Sequence, residues 1–381
     1  MHTLKSKSGI SRGATAAIII VVIAIIVLAG VLVTVSRPTT KTTTTTTSTT
    51  TTSTTTTSTT TTSTTTTTLS PANSSVLVDD SQTSTPDDLD PATGFYTFDQ
   101  PVFTNVFQQL VEFNGSNYLE VVPALASNYT TNNYQVYVFQ IRPGVSFSNG
   151  DPLNAYDVWF SFVRELYLGQ AVGISNYQDL TVNLSELSAT GLILPWGIRH
   201  AVQYAFGLNT LPTPNQTTTI LNQVLSNFNP SNTTTQKLMS YPNQAYVVTG
   251  PMTFKVNLLA PYRFFLQDIA AWWGAIVDPA YVDAHGGVQY GVSNSYFDAN
   301  GGPGTGPYEI VSVAPSFATV VLKANPNYWG AKVSGLPPIL QPAKIPVIII
   351  NYGLSHSDRV EDFATNKAQI SYVSIPFLGQ M

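Results

Sequence analysis

YQVYVFQIRPGVSFSNGDPLNAYDVWFSFVREL, Tyr134–Leu166, is the stretch whose reading decides the fold. Tyr137, Phe139 and Ile141 fall on one face of a period-two strand, with Val136, Val138 and Gln140 on the other. Pro143-Gly144 and Ser148-Asn149-Gly150-Asp151-Pro152 then turn the chain, because Pro presets φ while Gly and Asn tolerate positive φ. Asn154 is placed to cap a helix, with Asp157 three residues on as an acidic capping-box partner. Val158, Trp159, Phe162, Val163 and Leu166 recur behind it at helical spacing. Strand, turn and capped helix in this order predict a piece of an α+β domain.

Working outward, Ser75–Asp79 reads as a first short strand and Ser84–Asp90 as a polar loop. Asp99 is a candidate cap for a helix carrying Pro101 near its start and an apolar face of Val102, Phe103, Val106, Phe107, Leu110 and Val111. Leu168–Pro242 is rich in Asn, Thr and Pro and predicts one helix, Thr217–Phe228, in a variable insertion. Tyr246–Leu258 returns to strand alternation, and Pro261–Trp273 predicts a helix with paired aromatics. Ala275–His285 holds a short helix after Asp278-Pro279. The glycine-rich Gly301–Tyr308 leads into strands at Glu309–Val313 and Thr319–Ala324. Lys344–Tyr352, Asp358–Lys367 and Gln369–Ile375 predict a small βαβ unit.

The first seventy residues are of another kind. Ala14–Val35 is a run of 22 uncharged residues, about 33 Å as a helix and long enough for a hydrocarbon core of ~30 Å. Lys5, Lys7 and Arg12 precede it, so the positive-inside rule puts residues 1–13 in the cytoplasm and the remainder outside. Ser11-Arg12-Gly13-Ala14-Thr15 resembles the prepilin-type signal of archaeal surface proteins, which implies cleavage between Gly13 and Ala14 and retention of the apolar helix. An ordinary signal peptide is the alternative. Thr39–Thr68 is almost pure Thr, with Ser48, Ser53, Ser58 and Ser63 at every fifth position. It has nothing to bury, so residues 37–72 read as an unfolded stalk of glycosylated or bare hydroxyls. Sequons follow at Asn73, Asn114, Asn128, Asn183, Asn215 and Asn232.

The chain has 381 residues and no cysteine, so neither a disulfide framework nor a thiolate metal site is possible. All 21 acidic residues but only 11 of the 16 basic ones lie at or beyond Asp79, leaving that part at −10. A nucleic-acid partner would want the opposite sign. His2, His200, His285 and His356 are scattered, with no metal-binding spacing among them. Gly302-Pro303-Gly304-Thr305-Gly306 lacks the Gly-Lys-Ser/Thr end of a phosphate loop and leads into a strand. No Gly-x-Ser-x-Gly elbow exists. Paired carboxylates such as Asp87/Asp88 and Glu361/Asp362 sit in polar contexts. The reading is of a non-enzyme that needs no cofactor.

Four strings in order, VVPALASNY (Val121–Tyr129), RPGVSFSNGDPLNAYDVWFSFVR (Arg142–Arg164), GTGPYEI with VVLKANPNYWG (Gly304–Gly330), and DRVEDFATNKAQISYV (Asp358–Val373), resemble the family-5 solute-binding proteins of ABC importers, the oligopeptide/dipeptide type. Leu89-Asp90-Pro91 fits that family's first loop. Asn149 departs from the usual acidic residue before Gly150, and Asn128-Tyr129 from Ser-Trp. The resemblance implies an α/β (α+β) bilobal fold of the periplasmic-binding-protein class II type, with a first lobe at 73–308 and the start of a second, incomplete lobe at 309–381. Either the chain is a fragment or truncated, or its partner half is encoded separately. The anchor and stalk resemble archaeal binding proteins tethered to the cell surface.

The resemblance further implies a peptide or oligosaccharide held between lobes, permease and ATPase partners, and attachment to the membrane through the N-terminal helix. Phe95, Tyr96 and Thr97 match ligand-facing positions of the first lobe, and Tyr308 a cleft tyrosine. Trp272 and Trp273 are added as aromatic candidates without a motif behind them. Two readings stand beside transport: a surface-display or S-layer-associated protein with the same fold, and a stalked extracellular hydrolase.

Overall fold

A computed structural model of the chain describes residues 75–170, 180–375 and 377. Gly13, Ala14, the apolar run Ala14–Val35, the Thr-rich stalk and Asn73 lie outside the described residues. Among the described residues no helix is long and apolar enough to cross a membrane.

In chain order the strands are β1 (Val76–Gln82), β2 (Val111–Asn114), β3 (Asn117–Pro123), β4 (Ala126–Asn132), β5 (Val136–Ile141), β6 (Tyr246–Gly250), β7 (Thr253–Asn257), β8 (Tyr308–Val313), β9 (Thr319–Ala324), β10 (Val347–Tyr352) and β11 (Ile370–Ser371). They make a sheet in the order β4-β5-β7-β6, a hairpin β2-β3, and a sheet in the order β11-β1-β10-β9-β8. In β5 the expected alternation holds: Tyr137, Phe139 and Ile141 are buried. The predicted helix is Ala155–Leu168. Asn154 Oδ1 accepts from the Tyr156 N–H at 2.8 Å and Asp157 accepts from the Asn154 N–H at 2.8 Å, so the capping box is made. Every residue of this helix except Tyr156 is buried. It packs on β6 and β7 as the apolar spine of the domain.

The departures from expectation are local. Asp99 does stand before a helix, Gln100–Val106, but its carboxylate makes no cap. Instead it turns back and accepts from the N–H groups of Asp87 and Tyr96 at 3.1 and 2.8 Å. Pro261–Trp273 is not one helix: only Phe265–Ile269 is α-helical, followed by a single 3₁₀ turn at Trp272–Gly274. The chain doubles back so tightly there that a Cβ on Gly274 would overlap the Ile269 carbonyl. Where one helix is expected in Leu168–Pro242, the described residues include the helices Leu184–Thr190, Ile198–Phe206, Pro214–Leu225 and Thr233–Ser240. The third begins three residues earlier than expected because Thr213 and Gln216 form a second capping box, with Pro214 at the first helical position. It is sewn to the spine by the Tyr167 hydroxyl, which donates to the Thr218 carbonyl at 2.6 Å.

The last stretch folds differently from a local βαβ unit. β10 and β11 flank the helix His356–Ala364 in sequence, yet β1 lies between them in the sheet, parallel to both. β11 is only two residues long. Since β1 precedes and β8–β11 follow the rest of the domain, a division of the chain at Tyr308/Glu309 falls inside one sheet. Close backbone approach joins that sheet to the Gln100–Val106 helix. A Cβ on Gly304 or Gly306 would meet the Val106 carbonyl, while the Gly306 N–H donates to it at 2.8 Å. Glycine is required here by space, not by φ.

One ion pair is fully enclosed. Arg164 reaches both carboxylate oxygens of Asp90, at 3.0 Å for Nη1 to Oδ1 and closer for Nη2 to Oδ2, with both side chains essentially unexposed. The Asp90 carboxylate also accepts from the Ala92 N–H at 3.0 Å. Removing one partner of such a pair strands the other without solvent. Arg164→Met is therefore expected to lower stability by about 3–5 kcal/mol, read as a shifted midpoint in urea denaturation.

Candidate functional site

The loop from Pro86 to Phe98 is shaped by carboxylates. Asp87 accepts from the N–H groups of Phe95 and Tyr96 at 3.2 and 3.3 Å, and Asp99 accepts from Tyr96 on the other side. Phe95 and Tyr96 are thereby pushed outward and each is 53 % exposed, with rings 6.5 Å apart, and Thr97 is exposed beside them. The Gly94 carbonyl at the base of this loop accepts from Trp272 Nε1 at 3.1 Å. Trp272 and Trp273 meet edge to face at 4.6 Å, both half-buried, and the Trp273 Nε1–H has no partner. The Phe95–Thr97 loop and Trp272 therefore come together, through the Gly94 carbonyl. Tyr308 does not join them as an open cleft tyrosine: it is buried, and its hydroxyl donates to the Ile345 carbonyl at 3.0 Å.

Beside Trp272 lies a cavity of about 280 Å³. Gln100, Thr104 and Gln108 line one wall, Glu112 and Phe113 of β2 another, and Trp272, Pro307 and Leu340 close it. Gln100 and Thr104 lie one turn apart on the helix face opposite buried Val102, Phe103 and Val106, and Gln108 follows just past the helix end. This polar stripe was the available signal, and it is passed over when attention goes to the apolar face alone. Glu112 is the only titratable group in the lining. Loss of hydration pushes its carboxyl up to about 8, although it keeps partial access to solvent. The side chains of Glu112 and Gln109 face each other, and the contact is favourable in two ways. Either the Gln109 amide turns its NH₂ to an ionised Glu112, or a protonated Glu112 donates to the amide oxygen.

The family strings converge behind this cavity and serve as its frame. Trp329 Nε1 donates to Gln108 Oε1 at 2.8 Å, Gln108 Nε2 donates to the Tyr328 hydroxyl at 3.2 Å, and that hydroxyl donates to the Leu340 carbonyl at 3.0 Å. Arg142 lies 4.4 Å over the Trp329 ring. Asn149, where an acidic residue was the expected type, donates to both Asp151 and Asp278 at 2.8 and 2.7 Å. A third carboxylate there would repel two others. Among the described residues no group of three or more His, Asp or Glu is arranged to hold a metal. Of the described sequons, Asn128, Asn183, Asn215 and Asn232 are exposed, and Asn114 is half-buried with its Nδ2 donating to Glu120 at 3.1 Å. Asn183 and Asn232 cap helices through Oδ1, which leaves Nδ2 available for modification.

The model of the bacterial extracellular solute-binding proteins, family 5 (middle), matches residues 120–380. The chain belongs to this family. Solved structures share the family-5 fold at low identity. They include the peptide-binding pheromone receptor PrgZ (TM-score 0.56, 16 % identity, 80 % of this chain and 48 % of that one). Peptide-bound OppA from Listeria monocytogenes is similar (TM-score 0.56, 14 %, 80 % and 48 %). So is the murein tripeptide binding protein MppA of Escherichia coli (TM-score 0.52, 16 %, 77 % and 45 %). The family-5 chain thus spans just under half the length of these structures. No curated protein sequence matches it. The family is one of binding proteins, not enzymes.

The carboxylates around the loop also set a pH dependence. Asp99 is fully buried, and desolvation followed by its contact with the Asp87 carboxyl pushes it up to about 9. Desolvation raises Asp298, which accepts from the Thr93 hydroxyl, to about 7. Both values lie above the ~4 of an unfolded carboxyl, so the folded state holds protons that the unfolded chain releases. That stability is complete below about pH 4 and is lost as pH rises through 7 toward 9. The thermal midpoint is expected to be higher at about pH 5 than at about pH 8.5, and Asp99→Asn, neutral throughout, to flatten that dependence.

Proposed function

We propose that the family-5 chain is the capture subunit of an ABC importer and takes peptides from outside the cell to its permease. Carrying the reading is the joining of the exposed Phe95–Thr97 loop to Trp272 at the mouth of a cavity, in a chain of this family. Exposed aromatics beside a polar-lined cavity suit an extended peptide, held by main-chain bonds with side chains in pockets. Peptides are favoured over oligosaccharides because similar structures are named for peptide ligands. In this reading Ala14–Val35 anchors the chain as a single span, residues 37–72 form the stalk, and the globular part lies outside the cell as in archaeal surface-tethered proteins. The stalk then confines the capture domain near the permease and raises its effective concentration there. A cleft buries most of its ligand between two walls, so a second wall, from further chain or a separate partner, completes the site.

Calorimetry on the full chain in detergent micelles tests this. Mixed oligopeptides are expected to give saturable heat and mixed oligosaccharides none, and Tyr96→Ala to weaken peptide binding by about tenfold. Saturation by oligosaccharides alone would overturn the peptide assignment.

A further inference from the structure

Most buried acids of this domain are sealed. Glu165, on the central helix, is only 4 % exposed, and one of its oxygens lacks any partner. Glu112 is different. It is half-buried, stands in the wall of the 280 Å³ cavity, and is the only lining residue able to carry charge. No lysine, arginine or histidine pairs with it among the described residues. Its backbone contact, from the Gln109 N–H, is long at 3.4 Å. The remaining wall is amide, hydroxyl and aromatic: Gln100, Thr104, Gln108 and Trp272. The volume lies just below the ~300–1,000 Å³ of pockets that enclose whole ligands, so it fits one side chain or one end group.

We infer that this cavity is a subsite for a positively charged group of the bound peptide, an ammonium or guanidinium, which pairs with the Glu112 carboxylate beside Trp272. The inference rests on the peptide reading above. An unpaired carboxylate in a partly dehydrated wall attracts a cation far more than one in water, and an indole adds a cation–π contribution. The amide, hydroxyl and carbonyl groups around it accept the remaining N–H bonds of the cation.

Burial pushes the Glu112 carboxyl up to about 8, so it is largely protonated near neutral pH, and the Gln109 amide that faces it is the group its proton can reach. An arriving cation therefore ionises Glu112, the proton leaves to solvent, and the Gln109 amide turns its NH₂ toward the new carboxylate. The other titratable neighbour is Tyr328, whose hydroxyl burial pushes to about 12, with Arg142 behind it. Neither changes protonation near neutrality.

The test is calorimetry of the full chain in micelles at about pH 7, in phosphate and in Tris, whose ionisation heats differ. Three oligopeptides are compared: Nα-acetylated with one lysine, Nα-acetylated without lysine, and lysine-free with a free amino terminus. The lysine peptide is expected to bind with release of up to about one proton. Glu112→Gln is expected to abolish the release and weaken that peptide by about tenfold or more, with the thermal midpoint unchanged. Glu112→Asp is expected to restore part of the release. Release with the free-amino-terminus peptide alone would assign the same subsite to the chain end. Equal affinity for all three with no proton release, in wild type and Glu112→Gln alike, would overturn the inference while leaving peptide capture intact. Absence of binding by every peptide would overturn both.

Discussion

The Asp90–Arg164 pair is the interaction on which the site depends. Arg164 projects from the Ala155–Leu168 helix, the part of the chain most deeply packed, and Asp90 begins the loop that presents Phe95 and Tyr96. The Asp90 carbonyl accepts from the N–H groups of Thr93 and Gly94, so the turn at Gly94 is set by the same residue that grips the helix. Burial works against the charge on Arg164, and Asp90 more than offsets it, holding the guanidinium charged. Phe297 lies 5.4 Å from the same guanidinium and closes the cage. The most deeply packed helix is thereby connected to the exposed Phe95–Thr97 loop through a contact that water does not reach.

From this follows a division of labour among the family strings. Arg142, Tyr328 and Trp329 are recognisable in the sequence because a frame needs residues of fixed shape: a guanidinium over an indole, and an indole N–H on an amide. The surfaces they frame are made by Gln100, Thr104, Gln108 and Glu112, which lie outside the four strings. Tyr308 belongs to the frame, since its hydroxyl is used internally.

Much of this architecture was legible in the sequence, for reasons that can be located. The capped helix at Ala155–Leu168 and the β5 alternation are local signals, and both hold. The exposure of Phe95 and Tyr96, expected from the resemblance, has a local cause in Asp87 and Asp99, which no spacing rule would have paired. The break at Trp272 and the placement of β1 were not legible. One depends on a glycine pressed against a carbonyl from five residues earlier, and the other on pairings between residues far apart in the chain. Periodicity reports what a segment can bury, not which distant strand will lie beside it.

That placement of β1 has a mechanical meaning. β1 is flanked on both sides, by β10 along most of its length and by β11 at its end. A pull applied at the Val76 end acts along the strand and across its hydrogen bonds, which are then loaded in shear and must fail together. The segment that leads toward the N-terminus thus enters the sheet on a strand paired with β10 from its first residue and with β11 further on, so tension along it would load those backbone bonds in shear.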